Sequence, residues 1–131
     1  MVMDCDEITG EVIRIFYKVY NTLGYGFLEN VYEEAMMVEF RKSGLKFVNQ
    51  FPVKVFYEGE IVGKYVADFL IDGRVIVEIK AIGELGKVNE NQLMNYLRST
   101  DKEVGLLLNF GEKAEIKRRV YDNELKKKVW V

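Results

Sequence analysis

Three charged residues interrupt two apolar stretches of the sequence: Asp68 in the first, and Glu78 and Lys80 in the second. The stretches flank Asp72-Gly73, a pattern typical of two antiparallel strands joined by a tight turn. Two carboxylates that face each other across adjacent strands repel unless a cation lies between them, and Lys80 supplies only one positive charge. Oxygen ligands of this kind suit Mg²⁺ or Mn²⁺. A divalent-metal site and a salt-bridge cluster on a solvated sheet face explain the hairpin equally well.

The alternation of side chains predicts the register of this hairpin. Alternate residues of a strand share a face, and the apolar positions of both strands fall on one face only if Asp68 lies opposite Glu78. A slip of one residue would move every side chain of a strand to the other face. The sequence therefore predicts a three-residue loop, Asp72 to Arg74, or a bulge nearby. The residues expected on the shared apolar face are Tyr65, Ala67, Phe69, Ile71, Val75, Val77, Ile79 and Ala81.

Two helices are predicted to precede the hairpin. The first begins at Asp4 or Asp6, which can cap it, and ends near Leu23-Gly24. The second runs from Phe27 to Ser43 and stops at a glycine. Its buried stripe is expected to contain Leu28, Val31, Tyr32 and Ala35.

The remaining elements complete an α/β fold. Strand segments are predicted at 46–48 and 52–57, interrupted by Asn49-Gln50, with a proline that restricts the second segment to a strand start or an edge. A crossover helix at 87–100 and a final apolar strand at 103–110 follow the hairpin, which indicates that this last strand pairs in parallel in a mixed central sheet. A chain of 131 residues is expected to form a single domain, 1–131.

Three motifs resemble those of a known family. Asp68 with Glu78-Ile79-Lys80 resembles the core of the PD-(D/E)XK nucleases. Residues 26–32, Gly-Phe-Leu-Glu-Asn-Val-Tyr, match the signature of the GxxExxY family of that superfamily, and Gln92 to Tyr96 resembles the Gln-x-x-x-Tyr motif of its RecB-like branch. The similarity extends from Ile8 to Tyr121. The sequence departs from the family pattern at Tyr20 and Tyr25, where members commonly carry His and Pro, respectively.

This resemblance implies a restriction-endonuclease-like core and metal-dependent hydrolysis of phosphodiester bonds in DNA or RNA. Asp68, Glu78 and the carbonyl of Ile79 would hold one or two Mg²⁺ or Mn²⁺ ions, which lower the pKa of a water and neutralise phosphate charge. Lys80 would orient that water or stabilise the developing negative charge. Glu29 would contribute a third carboxylate, directly or through water, although the helix dipole alone also favours an acidic residue in a first turn.

The resemblance also assigns a role to Gln92 and Tyr96, which share a helix face because they are four residues apart. It implies that they line the rim of the active site and contact the substrate backbone or metal-bound waters. From their spacing alone they are a surface Gln and a Tyr at the edge of the core. Tyr32 is expected to support the site by packing and hydrogen bonding rather than by chemistry.

Composition excludes several classes of site. The chain has no His and a single Cys, so it carries no Ser-His-Asp or Cys-His arrangement, no zinc site and no internal disulfide. The acidic N-terminus does not resemble a signal peptide, and no apolar stretch approaches a membrane span, so we expect a cytoplasmic protein.

The net charge of −2 argues against attraction of nucleic acid to the whole surface but not to a local groove. Residues 112–128 contain seven Lys or Arg against four Asp or Glu, and Lys117, Arg118 and Arg119 are the best candidates there for phosphate contacts. Such charges more often form a solvated face. The sequence leaves open a homodimer, and also a nucleic-acid-binding or protein-interaction module with little or no turnover.

Overall fold

The fold is a five-stranded sheet with helices on both faces, in a computed structural model that describes residues 3–131. The elements in chain order are α1 (Cys5–Leu23), α2 (Glu29–Ser43), β1 (Phe47–Tyr57), β2 (Glu60–Ile71), β3 (Val75–Lys80), α3 (Lys87–Arg98), β4 (Val104–Phe110), β5 (Ala114–Val120) and a 3₁₀ turn at Asn123–Leu125. No helix within the described residues is long and apolar enough to cross a membrane.

The strands follow the order β1-β2-β3-β4-β5 across the sheet. The pairs β1–β2, β2–β3 and β4–β5 are antiparallel, whereas β3 and β4, which α3 connects, are parallel. The predicted α/β class, mixed sheet and crossover helix are thus confirmed. The parallel strand is not the last one, however. The charged segment after it forms β5. This strand was not predicted from the sequence, because an edge strand needs little alternation of apolar and polar residues.

Two apolar cores lie on opposite sides of the sheet. Helices α1 and α2 cover one face, where their buried side chains pack against Phe69 and Ile71 of β2 and against apolar residues of β3 and β4. Helix α3 covers the other face with Leu93, Tyr96 and Leu97. Strand β4 is buried along its whole length because α1 and α2 cover one side of it and α3 covers the other.

The predicted three-residue loop between β2 and β3 is confirmed. Ile71 pairs with Val75, which leaves Asp72, Gly73 and Arg74 in the loop. Asp72 and Gly73 take positive φ values of 51° and 69°, a conformation that Asp and Gly tolerate better than other residues. The register places Asp68 opposite Glu78.

One part of the predicted hairpin face is wrong, because β2 changes face within its length. Phe69 and Ile71 point to the core under α1 and α2, as predicted, but Ala67 packs in the core under α3 and the ring of Tyr65 lies 5.9 Å from that of Tyr96. The change occurs at Asp68, opposite Gln50 of β1, where the pairing is interrupted. The two predicted segments form one continuous strand, β1. This strand has a local twist at Gln50, whose φ is 59°.

The helix boundaries agree with the sequence except at the start of α2 and at the end of α3, which stops at Arg98 instead of residue 100. Asp4 caps α1, since its Oδ1 accepts the backbone N–H of Glu7 at 2.8 Å, and Gly24 ends it. Helix α2 begins only at Glu29, so Leu28 precedes the first turn and is 78% exposed instead of buried. The buried residues of α2 are Tyr32, Met36, Met37 and Phe40.

At two glycines, an added methyl group should have opposite effects on the stability of the fold. Gly10 lies exposed within α1 with open space where a Cβ would stand, so Gly10→Ala should stabilise the fold by about 0.5–1 kcal/mol. At Gly111 a Cβ would lie 2.6 Å from the carbonyl oxygen of Ile82, so Gly111→Ala should destabilise it by about 1–3 kcal/mol. Urea unfolding measures both values. Equal shifts for the two variants would contradict the packing of Gly111 against the loop after β3.

Candidate active site

Asp68 and Glu78 lie side by side where β2 and β3 part. The regular pairing of the two strands ends at Phe69 and Val77. Beyond that point, the N–H of Asp68 donates to Glu78 Oε1 at 2.7 Å, and the N–H of Ile79 donates to Asp68 Oδ2 at 2.8 Å. Each carboxylate is therefore held by a backbone group of the other strand, and its second oxygen takes no part in these bonds.

Burial makes the negative charge of this pair unfavourable. It raises the pKa of Asp68 to about 6, against the opposing effect of the Ile79 N–H bond, and the charges of Glu33 and Glu29 raise it further. Burial also raises the pKa of Glu78 to about 8, with the charge of Asp68 as the next cause. Lys80 is the nearby cation, and its Nζ lies 4.0 Å from Glu78 Oε2. When both carboxyls are ionised, one ammonium at that distance leaves the site with excess negative charge.

Glu33 is a residue near the site that the sequence analysis missed. It lies one turn after Glu29 on α2, and its Oε2 accepts hydrogen bonds from Asn49 Nδ2 at 2.7 Å and Gln50 Nε2 at 2.6 Å. Asn49 Nδ2 also donates to the carbonyl oxygen of Asp68 at 3.1 Å. Glu33 thus links α2 to the twisted part of β1, and Asn49 links that part of β1 to the backbone of Asp68. The four-residue spacing from Glu29 was the available signal.

Glu29 lies near the two carboxylates without joining them. It is the exposed first residue of α2, and its charge contributes to the raised pKa values of Asp68 and Glu78. Within residues 3–131 no three His, Cys, Asp or Glu side chains are grouped closely enough to hold a metal ion. A contribution of Glu29 to a metal site, directly or through water, stays a prediction.

Tyr32 supports the loop that leads into α2, as predicted. Its hydroxyl donates to the carbonyl of Gly24 at 2.6 Å and accepts the N–H of Phe27 at 3.2 Å. Its ring stacks on Phe110 of β4, with centroids 4.2 Å apart. These contacts anchor the start of α2, and with it Glu29, to the sheet.

Tyr96 of α3 lies near the carboxylates on the α3 side of the sheet, the face that Glu78 shares with Ile76 of β3. Its ring is buried and its hydroxyl donates to the carbonyl of Val66 at 3.3 Å. Burial, followed by the charges of Glu78 and Asp68, raises the pKa of Tyr96 to about 12, and the side chain of Gln92 acts in the opposite direction. Gln92 and Tyr96 are thus adjacent to each other on the α3 side of the candidate site.

The three basic residues of β5 do not form one patch. Because side chains alternate along a strand, Lys117 and Arg119 lie on the α3 side and Arg118 on the α1 side. Lys117 Nζ and Arg119 Nη2 lie 3.5 and 2.9 Å from Glu90 Oε1, respectively, and Arg118 Nη2 lies 2.8 Å from Asp6 Oδ1. All three cations pair with carboxylates, so a shared phosphate surface has no support in their arrangement.

A buried amide fixes the loop that follows Lys80. Asn109 of β4, which pairs with Lys80 in register, donates to the carbonyl of Ile82 and to Glu115 Oε1 and accepts the N–H of Ile82, at 2.9 to 3.0 Å. Glu115 Oε1 also accepts the N–H of Leu85 at 3.1 Å. The sequence signal for Asn109 was a polar residue at the end of an apolar strand.

Tyr20, where the resembled family commonly has His, is used structurally. Its hydroxyl oxygen lies 2.9 Å from the carbonyl oxygen of Gly111 and 2.7 Å from that of Glu112. It therefore supports the turn between β4 and β5. Sequence reasoning could not identify this contact because 91 positions separate Tyr20 from Gly111.

The sheet, the flanking helices and the paired carboxylates are consistent with a restriction-endonuclease-like fold. The family model of the PD-(D/E)XK nuclease superfamily matches residues 6–119. The chain belongs to this superfamily. Neither a curated protein nor a solved structure matches the chain. Membership suggests nuclease-type activity on nucleic acid, and PD-(D/E)XK nucleases generally depend on a divalent metal. The narrower assignment to the GxxExxY family stays a prediction.

The buried carboxyls predict how stability depends on pH in the presence of a chelator. Their raised pKa values mean that the folded state binds more protons than the unfolded chain, so the free energy of unfolding should fall as pH rises from about 4 to about 8. Glu78→Gln keeps the acceptor for the Asp68 N–H but does not titrate. It should therefore remove much of this fall, on the order of a few kcal/mol, and be more stable than wild type above about pH 8.

Urea unfolding at several pH values, with chelator present throughout, checks this expectation. Glu60→Gln, at the exposed first residue of β2, is the matched control and should follow wild type. A wild type whose stability changes with pH in parallel with Glu78→Gln would contradict the unfavourable burial of Glu78.

Proposed function

We propose that this protein is a metal-dependent nuclease that hydrolyses phosphodiester bonds in DNA or RNA. The observation that carries the proposal is the pair of buried carboxylates, Asp68 and Glu78, on adjacent strands, with the ammonium of Lys80 beside them. A structural salt bridge explains this arrangement poorly, because one Lys neutralises only one of the two buried carboxylates, and burial makes the charge of the other unfavourable.

The donor set fits a hard divalent cation. Asp68 Oδ1 and Glu78 Oε2 are carboxylate oxygens outside the two backbone hydrogen bonds, and oxygen ligands are those that Mg²⁺ and Mn²⁺ prefer. Asp68, Glu78 and the Ile79 carbonyl would hold the ion, with waters and a substrate phosphate as further ligands. When bound, such an ion supplies an activated water and neutralises charge on the phosphate.

Lys80 is proposed to act on the transition state. It shares a face of β3 with Glu78, so its ammonium stands at the side of the carboxylate pair. From there it would orient the attacking water or stabilise the charge that develops on the phosphate oxygens. Asn109 would keep Lys80 in position by holding the loop that follows it.

Residues from α2 and α3 are proposed to complete the rim. Gln92 and Tyr96 would contact the substrate backbone from the α3 side, where Tyr96 is a neutral hydrogen-bond donor at physiological pH. Glu29 would hold a water from the α2 side. Glu33 is assigned to positioning, since both of its hydrogen bonds go to β1.

A cleavage assay tests the proposal. Labelled single- and double-stranded DNA and RNA are incubated with Mg²⁺ or Mn²⁺, and wild type should cut at least one of the four. Asp68→Asn and Glu78→Gln should abolish both cleavage and the stabilisation that the metal gives to the fold. Lys80→Ala should keep the metal-induced rise in melting temperature but lower the cleavage rate by about 10²- to 10³-fold, because the ammonium acts on the transition state.

Lys42→Ala, at the exposed end of α2, is the matched lysine control and should leave the rate unchanged. If wild type binds metal but cuts none of the four substrates above the level of Lys80→Ala, the protein is a binding module on a nuclease fold.

A further inference from the structure

A groove of about 410 Å³ lies between the β1–β2 hairpin, α3 and the C-terminal segment. Its walls carry the ring of Tyr65, the side chain of Asn95 and two cations, Arg98 and Lys127. None of the residues that line it is acidic, although the chain as a whole has a net charge of −2. The groove is therefore suited to a ligand that is negatively charged and partly flat.

Tyr65 presents an aromatic surface in this groove. Its side chain is 42% exposed, which is unusual for a large ring on a sheet face that a helix covers. The ring of Tyr65 lies next to the ring of Tyr96, with centroids 5.9 Å apart and planes tilted by 51°. A Cβ on Gly63 would lie 3.3 Å from the ring of Tyr65 and 3.3 Å from Val55. The missing side chain at Gly63 thus keeps the space beside the ring free.

The cations of the groove are held in place by the fold. The guanidinium of Arg98 lies over the ring of Tyr121, 5.7 Å from its centroid. Lys127 follows Lys126, whose Nζ is buried and donates to the carbonyls of Thr100 and Lys102 at 2.9 and 2.7 Å.

The segment is also fixed after Lys127, because the N–H of Phe56 donates to the carbonyl of Val129 at 2.7 Å. The backbone on both sides of Lys127 is therefore fixed, while the residue itself is exposed.

The groove adjoins the candidate active site. Tyr96 separates the two: its hydroxyl bonds to the carbonyl of Val66, the residue after Tyr65, and its ring lies against that of Tyr65. Asn95, which precedes Tyr96 on α3, lines the groove. A strand that passes the carboxylates on the α3 side would reach Tyr65 next.

We propose that this groove binds an unpaired nucleobase against Tyr65, with the neighbouring phosphates of the same strand on Arg98 and Lys127. The inference rests on the proposed nuclease function and narrows its substrate to nucleic acid that is single-stranded beside the cleaved bond. Every base has a flat face that stacks on an aromatic ring, but in a duplex these faces are covered by the adjacent base pairs. Arg98 and Lys127 supply the charge that the backbone requires.

Binding without cleavage tests the proposal. Fluorescence anisotropy with short labelled oligothymidylate, oligouridylate and a blunt DNA duplex, all in the presence of chelator, gives the affinities of the variants. Tyr65→Ala should weaken binding of the single strands by about tenfold or more and leave duplex binding unchanged. Tyr65→Phe, which keeps the ring, should bind as wild type does.

Two matched controls accompany these variants. Tyr57→Ala removes a tyrosine that is 65% exposed at the end of the same hairpin but outside the groove, and it should bind as wild type does. Arg98→Gln should weaken single-strand binding and reduce its salt dependence by about one phosphate contact, whereas Arg41→Gln, exposed on α2, should change neither.

Unchanged single-strand affinity in Tyr65→Ala, or an equal loss for single strands and duplex, would overturn the assignment of the groove. This outcome is distinct from failure of the nuclease proposal. A protein that binds single strands through Tyr65 but cuts nothing retains the groove and loses the catalysis. One that cuts duplex and single strands alike, with Tyr65→Ala as active as wild type, retains the catalysis and loses the groove.

Discussion

The burial of two carboxylates next to each other is the constraint on which the candidate site depends. Asp68 and Glu78 each accept a backbone N–H from the other's strand, which holds them together. Burial raises the pKa of both, and the charge of Asp68 raises the pKa of Glu78 further. Such a pair is costly unless a proton or a metal ion neutralises it. The charge imbalance is thus the physical basis both for the pH dependence of the metal-free protein and for its proposed affinity for a divalent cation.

Because of the twist in the β1–β2 hairpin, the residues of β2 on either side of Asp68 pack on opposite faces of the sheet. At Gln50 and Asp68 the pairing is interrupted and both strands change face. As a result, Phe69 and Ile71 pack under α1 and α2, while Ala67 and Tyr65 turn toward α3. Glu33 stabilises this conformation by accepting hydrogen bonds from Asn49 and Gln50. The same twist that positions Asp68 therefore places an aromatic ring in the adjoining groove.

The surroundings of the site are held by buried polar groups rather than by apolar packing alone. Asn109 fixes the loop after Lys80, and Tyr32 fixes the loop before Glu29. Buried polar groups that are fully hydrogen-bonded favour one specific arrangement, because any other would leave them without partners. These contacts explain how loops on both sides of the sheet keep charged residues at defined positions.

Much of the fold and the centre of the site follow from the sequence by itself. Alternation around Asp72-Gly73 determined the three-residue loop and placed Asp68 opposite Glu78, and the apolar run at 104–108 indicated a strand buried on both faces. Local patterns are sufficient here because they involve neighbouring residues or one hairpin.

Only the tertiary structure decided the face change of β2, the strand β5, the distribution of Lys117, Arg118 and Arg119 over two faces, and the roles of Glu33 and Asn109. Each of these depends on contacts between residues far apart in the chain, or on a positive φ at a residue other than glycine, which no local pattern specifies.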